Sequence, residues 1–329
     1  MTIPEQPLHR DAPSAGTAGA TATSAPATSI SATGVPATGG PTLAPGIPPA
    51  TTAGWRRLLR SPAGLIGSVL VLLILIGAIC GIAGLTPYDP VAQHPLDALQ
   101  GPSGKYWLGT DQFGRDIFSR TLAGIGNSLR VSLVAVAFSG VIGTLAGVCA
   151  GYFGNRVRGP VLAVTNVLFA FPPLLLALTL ATTLTRNWAT IALAIGIVYV
   201  PIFVRVTRGP VLSLRETDFI RAARVLGLPT RRILLRHVLP NISAIVIVQV
   251  TLSLSWAVLT EASLSFLGLG SPPPAPSLGA MVFDAKVFAS TAWWTLAAPG
   301  VAIVIFVVGL NLLGDGLRDA LDPRNGRNS

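Results

Sequence analysis

Six stretches of the chain are apolar for about the 20 residues that a helix needs to cross the hydrocarbon core of a bilayer. They cover residues 63–85, 128–152, 160–183, 188–206, 242–264 and 293–313. Polar and proline-rich segments separate them at 86–127, 207–241 and 269–292. The pattern predicts an all-α polytopic membrane protein with six transmembrane helices. Pro172 and Pro173 in the third stretch and Pro201 in the fourth predict kinks, because proline lacks the N–H that an interior helical position donates.

Residues 1–54 follow a different rule. Of these, 42 are Ala, Thr, Ser, Pro or Gly, too little apolar surface to offset the entropy of ordering, so a disordered tail is expected. No apolar segment near the start has the form of a signal peptide, since the first comes after "WRRLLR" at 55–60. The remainder, 55–325, reads as one transmembrane domain.

Composition agrees with a membrane protein: 51% of the 329 residues are hydrophobic and 11% charged. The net charge of +10 does not indicate a nucleic-acid binder, because the arginines cluster in short segments between apolar runs and are not interleaved with aromatics over a soluble face. Arg56, Arg57 and Arg60 precede the first span. Arg156 and Arg158 lie between the second and third, eight arginines from Arg205 to Arg236 around the fourth-to-fifth connection, and Arg318, Arg324 and Arg327 after the sixth. With six spans all of these share one side, which the positive-inside rule makes cytoplasmic, together with both termini. The opposite side receives the 86–127 loop, where Lys105, Arg115 and Arg120 are balanced by Asp89, Asp97, Asp111 and Asp116, a short turn around Arg186, and the 269–292 loop. Cys80 and Cys149 lie in apolar runs and His9, His94 and His237 are scattered, so neither a disulfide framework nor a metal site is indicated.

The basic connection has helix signals of its own. In "TDFIRAARVLG", Thr217 or Asp218 can cap a short helix and Gly227 can end it; in "PTRRILLRHVLP", Thr230 is the expected N-cap and Pro240 the stop. Each is about nine residues, too short to span and marginal alone in water, so each needs a surface to pack against.

Two separate segments resemble one family. Ala222-Ala223, then Gly227, then Leu239-Pro240 are similar to the signature of binding-protein-dependent ABC transporter permeases, Glu-Ala-Ala followed after three residues by Gly and later by Ile-x-Leu-Pro. Arg221 stands where Glu is usual and His237 where Ile is usual. The segment "YWLGTDQFGRDIFSRTLAGIGNSLRVSL" at 106–133 resembles the entry to the second span in C-type permease subunits of dipeptide, oligopeptide and nickel importers, through Leu108, Gly109, Thr110 and Asp111, then Gly114, Arg115 and Asp116, then Ser119 and Arg120. Read locally, Gly109 and Gly114 permit tight turns and Asp111 and Asp116 can cap the helix that follows. A calcium loop is disfavoured because the carboxylates lack the alternating ladder and the distal Glu. Further matches are "TEASLSFLGLG" at 260–270, "AWWTLAAPG" at 292–300 and "NLLGDGLRDALDPR" at 311–324.

The resemblance implies a type I ABC importer permease fold in a bacterial inner membrane. It implies a B-type second permease, one or two cytoplasmic ABC ATPase subunits that use ATP and Mg, and an extracytoplasmic substrate-binding protein. This chain is expected to bind no cofactor and to catalyse nothing itself; "GPSGKYW" lacks the spacing of a phosphate-binding loop. The coupling segment to the ATPases is expected at Asp218, Phe219, Ile220, Arg221, Ala222, Ala223, Arg224, Leu226, Gly227, Leu239 and Pro240, with Ala222, Ala223 and Gly227 in close contact. Dipeptides or short oligopeptides are the expected cargo, with nickel chelates and glutathione as alternatives that share these motifs. A stand-alone secondary transporter is a different class, and the inverted repeats that many of those show are not evident. Polar groups inside apolar runs are the pathway candidates: Glu261, Asn166 and Asn311. Glu261 can meet a peptide amine, snorkel to water or make a structural hydrogen bond, and the asparagines can equally join helices.

Overall fold

The computed structural model describes residues 58–59, 61–183, 185 and 187–321. The tail expected at 1–54, and with it Arg56, Arg57, Arg60, Arg186, Arg324 and Arg327, lies outside the described residues.

Among the described residues the fold is helical, with one isolated bridge between Thr110 and Asp116. The helices are α1 (Pro62–Ile82), α2 (Ile117–Tyr152), α3 (Asn155–Ala170), α4 (Pro173–Thr183), α5 (Trp188–Arg215), α6 (Asp218–Val225), α7 (Thr230–Ile233), α8 (Leu239–Phe266), α9 (Leu278–Ala285) and α10 (Trp294–Leu321). A π-helical turn, Leu234–Val238, joins α7 to α8, so that Thr230–Phe266 is one rod of 37 residues. At 1.5 Å per residue it is about 55 Å long.

Local chemistry sets several of the boundaries. Ser61 Oγ accepts the Gly64 amide at 3.1 Å with Pro62 in the first turn of α1, and Asn187 Oδ1 accepts the Thr190 amide at 2.9 Å to start α5. Asp116 Oδ2 accepts the Ser119 amide at 2.8 Å, so α2 begins well before its apolar stretch. α5 continues unbroken through Pro201 and Pro210 to Arg215, which puts Arg205 and Arg208 on a helix and not in a loop.

The third apolar stretch is not a single helix. α3 and α4 meet at a 93° bend, where Phe171 leaves the helix as an extended residue (φ −95°, ψ 138°). A residue that precedes proline is pushed out of the helical region, and Pro173 restarts the helix at the position where its missing N–H costs least. Among the described residues, five helices or rods are long and apolar enough to cross a membrane, and the bent pair makes a sixth span if taken together.

α2 is the axis of the bundle. It packs most extensively on α5, and also on α1 and α8. Its contact with α5 is a four-residue repeat of glycines. A Cβ on Gly143 would stand 2.6 Å from the Val200 carbonyl oxygen, one on Gly147 2.7 Å from that of Val204, and one on Gly151 3.0 Å from that of Arg208. The offset is the same at each step, so the two helices run parallel in fixed register with their backbones almost touching. Apolar association alone does not drive such contacts in lipid; close approach through small residues does.

A Leu at Gly147 must therefore separate the helices. Gly147→Leu is expected to lower stability by at least the ~1–3 kcal/mol typical of overpacking, seen as lost monodispersity and an earlier thermal transition in detergent. Gly159→Ala, where a Cβ meets nothing within 4 Å, should leave both unchanged.

Candidate functional site

α6 is short, strongly two-sided and placed at one end of the bundle. Thr217 precedes it in extended geometry (φ −72°, ψ 149°), but its hydroxyl donates back to the Leu214 carbonyl at 2.6 Å and caps nothing. The far end is closed by Gly227 at φ +73°. Its amide donates to the Arg224 carbonyl at 3.0 Å and the Leu228 amide to that of Ala223 at 3.1 Å. Only glycine takes this left-handed geometry without cost, so the predicted helix stop has a direct cause.

Helical spacing divides the segment into two faces. Ile220 and, three residues on, Ala223 are buried against Val148, Val211, Ile233, Val238 and Ile242. Phe219, Ala222, Val225 and Leu226 are exposed, Val225 at 88% and Leu226 at 79%. Of the residues expected in close contact, Ala223 is 7% exposed and its small side chain lets α6 sit close on its own bundle, while Ala222 shares the outward face with Leu226, four residues on.

Three cations around α6 are individually anchored. Glu216 Oε1 pairs with Arg215 Nε at 2.9 Å and its Oε2 with the Arg221 guanidinium at 3.3 Å. Arg215, then Arg221, hold the Glu216 carboxyl below the usual carboxylate range. Arg221, the residue in place of the family's Glu, thus has an acid five residues before it as its partner. Arg224 lies over the Tyr152 ring at 4.9 Å and donates to its hydroxyl at 3.2 Å.

The second short helix differs from the expectation of a stop at Pro240. Pro229, not Thr230, occupies the N-cap position, and the chain passes through the π turn, where the Leu239 amide donates to the Leu234 carbonyl, directly into α8. Pro240 sits in the first turn of α8. A π turn shifts the hydrogen-bond register by one residue, and proline at that joint has no N–H to leave unpaired. Leu239 packs on the cluster beneath α6, whereas Pro240 is exposed.

At the opposite end, the 106–133 motif builds a compact entry to α2. Gly109 (φ +76°) and Gly114 (φ +73°) both take left-handed geometry, and a Cβ on Gly114 would collide with the His94 carbonyl. Asp116 caps α2 as expected, also accepting from Ser119 Oγ at 2.6 Å. Asp111 does not cap it. Its carboxylate instead takes the Phe113 and Arg115 amides at 2.9 and 3.0 Å and the Arg115 Nε at 2.6 Å, with Arg120 Nε at 3.5 Å, closing the turn on itself. Thr110 Oγ1 accepts the Gln100 amide at 2.9 Å, and Trp294 Nε1 reaches the Thr110 carbonyl at 3.4 Å, tying this loop to α10. Asp284 of α9 lines the same small cleft; burial pushes its carboxyl up, against the pull of Arg115 and Arg120.

Glu261 neither snorkels nor faces an open passage within this chain. It is 1% exposed and accepts from Ser128 Oγ of α2 at 2.6 Å, Ser265 Oγ of its own helix at 2.7 Å, and Ser277 Oγ, just before α9, at 3.2 Å. Asn166 is exposed on α3 and accepts from Arg205 of α5 at 3.4 Å, with the Arg205 guanidinium 3.8 Å over the Phe169 ring. Asn311 is half-buried on α10. The three stand on three different helices, and no hydrogen bond among the described residues joins any two of them. Nothing near Ser128 or Ser277 in the sequence marks them as partners of Glu261; only Ser265, one helical turn away, carries a local spacing signal.

Residues 143–327, more than half of the chain, match the family described as binding-protein-dependent transport system inner membrane component, and residues 52–102 match the N-terminal TM domain of oligopeptide transport permease C. Among curated relatives, the dipeptide transport system permease protein DppC of Alkalihalophilus pseudofirmus is 40% identical over 270 residues, 82% of this chain and 88% of that one. The glutathione transport system permease protein GsiD of Pectobacterium atrosepticum is 39% identical over 271 residues, 82% of this chain and 90% of that one. In fold, a chain of the inward-facing MetNI methionine ABC transporter superposes with a TM-score of 0.52 at 19% identity, covering 62% of this chain and 96% of that one. The helical bundle, its apolar spans and these matches together place the chain in the binding-protein-dependent transport system inner membrane component family, as a multi-pass membrane permease component of an ABC importer.

Proposed function

We propose that this chain is the C-type permease subunit of an ATP-driven importer of dipeptides or short oligopeptides. It pairs with a second, B-type permease. One or two kinds of ABC ATPase subunit, which use ATP and Mg, lie beneath α6, and a substrate-binding protein meets the opposite end. The observation that carries this reading is the outward face of α6: Phe219, Ala222, Val225 and Leu226 form an exposed apolar strip on a short helix ringed by arginines. An exposed apolar patch with a basic rim on a water-facing helix fits a protein contact, and the rim favours rapid, oriented encounter more than raw affinity.

The arginines from Arg205 to Arg236 support a cytoplasmic position for the α6 end, in a bacterial plasma membrane with both termini inside. The peptide cargo rests on the names of the relatives, and glutathione import is the second reading because a glutathione permease is similar to the same extent. Mechanistically, ATP binding draws the ATPases together and displaces α6. Ile220 and Ala223 key α6 to Ile233, Val238 and Ile242, so α6 and the rod move as one body, a rigid-body switch biased by ligand.

Leu226→Asp alters the outward face and no internal contact. In vesicles holding the whole complex it should reduce ATP-driven dialanine uptake at least tenfold with normal membrane insertion; full uptake would sink the docking assignment. Arg221→Glu places a second acid beside Glu216 and should weaken co-purification of the ATPases by no more than a few-fold, because a solvent-exposed pair contributes little. The Glu216→Arg, Arg221→Glu exchange should recover it. Because the Glu216 carboxyl is held low, the pair's contribution is complete above the usual carboxylate range and fades only as pH falls through that depressed value. Co-purification is thus expected to be the same at about pH 6 and pH 8 as far as this pair is concerned, which pull-downs at both values check.

A further inference from the structure

The Glu261 carboxylate is the best-defined polar centre inside the bundle, and the docking reading leaves it unused. Three hydroxyls from three places donate to it, and among the described residues no cation pairs with it. Two neighbouring contacts fasten the same spot. Asn127 Nδ2 of α2 donates to the Pro276 carbonyl at 2.6 Å, and the backbone at Gly279 lies so close to α8 that a Cβ there would collide with the Ala262 carbonyl. The start of α9 is thus pinned to both α8 and α2, and just beyond its other end Val287 is 72% exposed.

Glu261 also stands near the end of the continuous rod, whose other end, at Ile233 and Val238, carries α6. A stiff helix of about 55 Å therefore has the docking helix at one end and the Glu261–Ser277 contact at the other. We propose that Glu261 is a positioning residue that couples α9 to the rod, so that displacement of α6 is delivered as movement of α9 at the far mouth of the permease. The inference rests on the importer reading and deepens it. The carboxylate suits the task because it accepts from all three hydroxyls at once, and a buried hydroxyl deprived of its acceptor is costly. α8 therefore cannot turn without carrying Ser277 or breaking a buried bond.

The test uses the whole importer complex in lipid vesicles, with dialanine as cargo. In a Cys80→Ala, Cys149→Ala background, spin labels at positions 287 and 96 report the distance between the α9 end and the 86–127 loop, where Leu96 is 98% exposed. The wild-type distance should change on trapping with ATP and vanadate. In Glu261→Ala the change should disappear, ATP hydrolysis should stay within twofold, and uptake per ATP should fall about tenfold. Glu261→Gln keeps an acceptor oxygen and should restore uptake per ATP to within about threefold of wild type, an outcome that simple loss of fold does not give. Ser277→Ala removes only the 3.2 Å bond on the α9 side and should lower uptake per ATP about threefold, which keeps the proposal exposed to failure if Glu261→Ala does not assemble. Unchanged coupling in both alanine variants, or a wild-type complex that transports with no distance change, overturns it. A wild-type complex that shows no ATP-dependent uptake of dialanine or of glutathione overturns the importer reading, and this inference with it.

Discussion

The contact between α2 and α5 is the constraint on which the rest of the structure depends. Gly143, Gly147 and Gly151 face the carbonyls of Val200, Val204 and Arg208 one after another, so the two longest-packed helices have one allowed register. In lipid the hydrocarbon surroundings are as apolar as the side chains, and association comes from close packing and hydrogen bonds. A stripe of glycines supplies the first of these. In that register α5 runs on past the end of α2, and the Arg215 guanidinium reaches back to the Tyr152 carbonyl at 3.4 Å. The platform for α6 is made in this way.

From that axis the two ends of the bundle differ in kind. The α6 end is built on an apolar cluster of Ile220, Ala223, Ile233, Val238 and Ile242 capped by exposed arginines, a surface that is stable on its inner side and unfinished on its outer side. The other end is closed by hydrogen bonds and ion pairs: Asp111 with Arg115, Asp116 with Ser119, Glu261 with three serines. Polar closure suits an end where chain crossings must satisfy many backbone groups.

Much of this was legible along the chain because it depends on near neighbours. The span of α1 follows from an unbroken apolar run after Ser61 and Pro62, and the end of α6 follows from Gly227, since a left-handed residue is a local demand. The break between α3 and α4 was announced by Pro172 and Pro173, although its 93° size was not. Where the sequence reading went astray, a long-range contact had decided the matter. Pro240 reads as a stop in isolation, yet packing of Ile233, Val238 and Ile242 on α6 favours a single rod that absorbs the proline through a π turn. Ala222 and Ala223 are indistinguishable by composition, and only the position of Ile220 relative to the bundle shows which of them turns inward.

By itself, then, the sequence determined the helical class, the membrane-spanning runs, the basic character of one end and the motifs that mark the family. These rest on hydrophobicity, chain length and backbone chemistry within a few residues. Only the tertiary structure decided that Arg221 takes Glu216 as its partner, that Asp111 closes a turn in place of capping a helix, and that Glu261 is shared by Ser128, Ser265 and Ser277. A buried carboxylate must find donors wherever the fold brings them. Ser128 is 133 positions away from Glu261 in the chain, a separation across which no local preference acts.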